Sequence, residues 1–177
     1  MKCAVLAALP FFAVVSGLPA LAADGSEGDR QFFRSVEGEW VGPGEIVAGK
    51  YKGTKFNCSF TGSTPAKKVG MTLDGSCRVG MFTQRMRATV ERQGRGYAGK
   101  FLDGSAGKGL DVISGSVKGQ KVVLGLNRRQ LNGAMLARLA DEDTMNVTVS
   151  VRVEEEMVPV IGMSLKRVDT VGSIAQQ

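Results

Sequence analysis

Period-two alternation runs through most of this chain and restricts it to antiparallel sheet. Met145, Val147, Val149, Val151 and Val153 alternate with Asn146, Thr148, Ser150, Arg152 and Glu154. Successive side chains of a strand point to opposite faces, so this segment has one apolar and one polar face. Phe56, Cys58 and Phe60 alternate with Lys55, Asn57, Ser59 and Thr61 in the same way. Phe82, Gln84, Met86, Ala88 and Val90 alternate with Thr83, Arg85, Arg87, Thr89 and Glu91. Short glycine-bearing connections such as Gln93-Gly94-Arg95-Gly96 and Lys118-Gly119-Gln120 separate the runs. With 24 glycines and 5 prolines, the composition suits many strands joined by tight turns.

The segment 131–140 is ambiguous. Leu131, Met135 and Leu139 fit helical spacing, whereas Met135, Ala137 and Leu139 alternate. Gly133 disfavours a helix interior, so 134–140 reads as a strand. No helical crossover pattern occurs, which argues against a parallel sheet. The expected fold is all-β: an antiparallel up-and-down barrel of about eight to ten strands, closed to protect its edges. A sandwich is the alternative. A short helical turn, capped by Asp29 and ending near Ser35, precedes the strands and carries Phe32, Phe33 and Val36 on one face.

The N-terminal residues follow a different logic. Lys2 precedes an apolar run from Ala4 to Val15, Gly17 and Pro19 break it, and Ala20-Leu21-Ala22 offers a small-x-small cleavage site. This order is that of a secretory signal, so the mature chain is expected in a periplasm or outside the cell. The expected organisation is a signal peptide at 1–22, a flexible segment at 23–30, one barrel domain at 31–169 and a tail at 170–177. No later apolar stretch is long enough to span a membrane as a helix.

Export bears on the cysteines. Cys3 would leave with the signal, and Cys58 and Cys77 remain as a pair in an oxidising compartment. If Pro65–Gly70 is the loop of a hairpin, Gly62 faces Leu73, Phe60 faces Gly75 and Cys58 faces Cys77. Directly opposed residues are close enough to bridge, so a register-locking disulfide is expected. The pair lacks C-x-x-C spacing, which favours a structural over a redox role.

The chain has no histidine. That excludes a Ser-His-Asp or Cys-His catalytic unit, a His-ligated haem and a His-containing zinc site. The acidic residues Asp141–Asp143 and Glu154–Glu156 read as solvated turns without calcium-loop spacing. Asp103-Gly-Ser-Ala-Gly-Lys108-Gly lacks the order of a phosphate loop and reads as a hairpin connection. No catalytic residues, metal ligands or cofactor are therefore expected.

The formal net charge is +6. Aromatics do not interleave with the basic residues as nucleic-acid platforms require, so no nucleic-acid partner is expected. Arg85, Arg87 and Arg152 fall on the polar faces of their strands and are candidates for partner contact. The apolar faces supply an inward set that includes Phe60, Met145, Val149 and Met163. Within it, Phe82, Met86, Tyr97 and Phe101 are the candidate contacts for a small apolar ligand. Gln84 shares their face, either as a polar handle or at the rim. The alternative is that all these side chains fill a small barrel.

Gly38-Glu39-Trp40 has the form Gly-x-Trp, placed after a short helical turn at the start of the first strand. With the strand meander after it, this resembles the opening of calycin-type barrels, the lipocalins and their shorter relatives. The resemblance implies that Trp40 is structural, packing across a closed end, and that the barrel mouth is the binding site. The small periplasmic β-barrel protease inhibitors also pair a Gly-x-Trp start with one nearby disulfide. The expected function is thus a non-catalytic exported binding protein for a small apolar ligand. The alternative is an envelope protein–protein interaction module of the protease-inhibitor kind, with a filled interior.

Overall fold

The computed structural model describes residues 25–102 and 109–168. The signal at 1–22, the tail at 170–177 and the loop residues 103–108 lie outside the described residues. One helix, α1 (Gly25–Ser35), precedes ten strands. These are β1 (Gly38–Ile46), β2 (Lys55–Ser63), β3 (Gly70–Val79), β4 (Phe82–Gln93), β5 (Gly96–Leu102), β6 (Leu110–Lys118), β7 (Lys121–Arg128), β8 (Leu131–Leu139), β9 (Thr144–Val153) and β10 (Glu156–Arg167). Each strand pairs antiparallel with its neighbour in sequence, and β1 closes the ring on β10. The architecture is a closed up-and-down barrel, as the alternation predicts, and 131–139 is strand.

Two-residue connections make five of the turns. Their first residue adopts a left-handed conformation: Gly80, Gly94, Gly119, Arg129 and Glu154. Such turns match the twist of the flanking strands, which accounts for the regular meander.

The N-terminal boundary needs correction. Residues 25–30 form the first turns of α1, where a flexible segment was expected, and Asp29 sits inside the helix and does not cap it. Burial explains the order: Phe32, Phe33 and Val36 are buried on one helix face and tie it to the barrel. Glu27 in the first turn and Arg34 in the last also complement the helix dipole.

The register of β2 on β3 matches the expectation residue for residue. Gly62 pairs with Leu73, Phe60 with Gly75 and Cys58 with Cys77, and the two cysteines are bridged. Gly75 has a packing reason: a Cβ there would run into the Ser59 carbonyl oxygen and lie 2.6 Å from the Phe60 ring.

The pairing places even-numbered residues of β1, β2, β4 and β7 inside, and odd-numbered residues of β3, β5, β8 and β9. The interior is therefore apolar and the outer wall largely polar. Its buried residues concentrate at one end, where α1 lies across the barrel.

Candidate functional site

The barrel interior divides into a sealed half and an open half. In the sealed half, Phe32, Phe33 and Val36 of α1 meet Trp40, Phe60, Tyr97, Leu139, Met145 and Leu165. Trp40 is fully buried, and its indole Nε1 donates to the Val36 carbonyl at 3.0 Å.

Arg167, at the end of β10, clamps this region. Its guanidinium lies 4.3 Å from the Trp40 ring centroid. It donates to the Glu37 carbonyl at 2.6 Å, the Ser35 carbonyl at 2.7 Å and the Glu142 carbonyl at 3.1 Å. Ser35 ends α1, so one cation at once satisfies a helix C-terminus and ties the first strand to the last.

A second tie runs from α1 to β4 and β5. The Tyr97 hydroxyl donates to Asp29 at 2.6 Å, and Arg92 reaches the same carboxylate at 3.4 Å. Burial, then the hydrogen bond to the Asp29 carboxylate, raises the Tyr97 phenol well above its ordinary range. Tyr97 and Arg92 are directly opposed, and Asp29 reaches them both from the helix.

The other half is different. Met86, Phe101, Leu110, Met135, Val149, Ile161 and Met163 point inward, several from mid-strand, and are only partly buried, whereas Phe56, Cys58 and Leu126 among them are buried. All of the partly buried ones except Phe101 pack against the buried cluster and still keep part of their surface in solvent. A ten-strand ring is wider than the eight-strand size that side chains alone can pack. The Cys58–Cys77 bridge lies on the inner wall, with Met163 Sδ 4.0 Å from Cys58 Sγ.

The expected ligand residues are only partly brought together. Met86 and Phe101 line the open half. Tyr97 does not join them: it lies four residues along β5 from Phe101, 3 % exposed under α1. Its apolar ring belongs to the plug because Asp29 takes its hydroxyl. Phe82 lies at the rim, where β3 turns into β4, and projects into solvent. Gln84 is exposed near the same rim. Arg85 and Arg87 share the outer face of β4, with Arg87 paired to Asp74 at 2.5 Å. Arg152 is exposed on β9, across the ring from β4, so the three arginines form no single patch.

Sequence reasoning overlooked Arg167 and Arg92 and took Asp29 only for a helix cap, and it did not single out Leu73, Leu110, Met135 and Ile161. The last four were recoverable, because each is in phase with its strand's apolar face. Among the described residues, no cluster of His, Cys, Asp or Glu is arranged to hold a metal ion. A separate groove of about 430 Å³ lies between α1 and the β6–β7 turn, lined by Asp29, Gln31, Phe32, Ser35, Val117 and Gln120 among others. It lies at the sealed end, away from the mouth.

These features define a closed ten-strand antiparallel barrel, covered at one end by α1 and with partly exposed inward side chains toward the other. No protein-family model and no curated protein matches the chain. The fold is similar to the crystal structure of Rv2717c from M. tuberculosis, with a TM-score of 0.60 and 14 % identity over 80 % of this chain and 98 % of that one. A protein of unknown function of the DUF3598 family from Nostoc punctiforme aligns at a TM-score of 0.49 and 15 % identity. The alignment covers 76 % of this chain and about half, 48 %, of that one.

Proposed function

We propose that this protein binds a small apolar molecule in the open half of its barrel and performs no chemistry on it. One observation carries the reading: inward-facing Met86, Met135, Val149, Ile161 and Met163 remain partly exposed. Apolar wall left in contact with solvent gains free energy when an apolar ligand covers it. Methionine adapts its shape readily, which suits a ligand of variable outline. The alternative is a filled barrel acting through its outer face.

The sealed half gives the site a rigid floor. Fully buried Trp40 at that floor is in keeping with a calycin-type barrel. An apolar interior within a largely polar wall is the reverse of a membrane-spanning barrel and supports a binding vessel that works in water. The disulfide favours an oxidising compartment, which supports export by the N-terminal signal.

Native mass spectrometry of the folded protein is the first test. A co-purifying apolar mass that departs on mild activation is the expected result. A bare protein that fails to take up any member of a panel of fatty acids, sterols and isoprenoids would overturn the reading.

A further inference from the structure

The open end carries a surface that the binding reading does not use. Among the described residues, nine of the thirteen exposed large apolar side chains lie at or beside this rim. The most prominent are Met81, 95 % exposed, Phe82, 81 % exposed, and Tyr51, 64 % exposed. Val79, Leu131 and Val153 add to them from the same end. Lone exposed apolar residues are ordinary, but a set gathered on one end of a barrel is an interaction surface.

The rim also carries cations. Lys50 and Lys52 flank Tyr51 on the β1–β2 loop, with the Lys50 ammonium 5.6 Å from the Tyr51 ring centroid. Arg78 and Arg85 stand diagonally across the β3–β4 pair, on the outer face just below Met81 and Phe82. None of these four cations makes an ion pair among the described residues. Lys55 is different, since Glu45 stands opposite it. The acidic turn Glu154–Glu156 occupies another part of the rim, between β9 and β10, where exposed Arg129 and Arg152 add further positive charge.

From this we infer that the β1–β2 loop and the β3–β4 turn dock the open end onto an anionic phospholipid bilayer. Apolar tips surrounded by unpaired cations match such a surface: the tips enter the interface and the cations meet the headgroups. The docking rests on the rim alone. Its consequence, that ligand passes between bilayer and barrel mouth without crossing water, rests on the binding reading above.

The test is sedimentation of the folded protein with vesicles of phosphatidylglycerol and phosphatidylcholine, and with phosphatidylcholine alone. Binding is expected only to the anionic vesicles and should weaken as salt rises. Met81→Ser with Phe82→Ser should weaken it at least tenfold with unchanged circular dichroism, because neither side chain is packed. Lys50→Glu with Arg85→Glu should do the same. Lys121→Glu with Arg138→Glu makes an equal charge change at the sealed end and should have little effect. Equal losses from the two charge reversals would reduce the effect to net charge and overturn the inference. So would absent vesicle binding, including the case where an acidic protein binds the rim instead. Uptake of an apolar dye in solution reads the interior independently, so failure of the docking and failure of the binding reading are told apart.

Discussion

Replacing Arg167 is expected to loosen the sealed end of the barrel without touching its open wall. Three carbonyls accept from its guanidinium, two of them at 2.6 and 2.7 Å, and the cation covers the Trp40 ring. Hydrogen bonds to a charged donor contribute about 1.5–3 kcal/mol each. A cation over an aromatic ring adds about 0.5–2 kcal/mol. These contributions are not additive, and the side chain is 26 % exposed, so some carbonyls would regain water. Arg167→Met, which keeps the apolar stem, should therefore cost roughly 3–5 kcal/mol. For a domain of this size that is a fall in Tm of roughly 10 °C. Arg167→Lys keeps the charge but loses the planar fork, and should fall between the two. Trp40 is the only tryptophan, so its emission reports on this end directly. Denaturant melts with emission spectra give both quantities, and a red shift is expected in the methionine variant. A loss below about 1 kcal/mol with unchanged emission would show that packing alone closes the barrel, and would refute the clamp.

Two further perturbations probe other ties. The disulfide spans a sequence separation of 19, so removing it with paired alanines should cost about 3 kcal/mol by chain entropy. A fall in Tm of about 10 °C with unchanged strand content is expected. Tyr97 has a folded pKa raised above its unfolded value near 10, so its contribution is fully present below about pH 10 and is lost as pH rises through the folded value. In a Tyr51→Phe background, phenolate absorbance should therefore stay absent above about pH 10 until the fold opens; normal titration near that pH would contradict the Asp29 tie.

The strands were legible because alternation is local: each residue's face follows from its neighbours. The Cys58–Cys77 pairing was legible for the same reason, since a hairpin fixes its own register. The plug was not. Arg167 is one more basic residue until β10 closes on β1 and brings it over Trp40, 127 positions earlier in the chain. Asp29 has the composition of a cap, and only helix packing shows it reaching Tyr97. Tyr97 and Phe101 share a face in the sequence, but face says nothing of depth along the barrel axis. Depth separates the sealed layer from the open one, and it depends on where α1 lands. Phe82 shows the same limit: it is in phase with the interior, yet at the strand's end it meets solvent.

Filling the open half tests the proposed ligand cavity most directly. Met135 is inward and partly exposed, between Leu124 and Val149. Saturation of the folded protein with Nile red should show one site, and Met135→Trp should weaken it at least tenfold while stability stays within about 1 kcal/mol of the parent. No saturable binding, together with a loss of about 1–3 kcal/mol on adding the indole, is what an already filled interior would give, and it would contradict the open half.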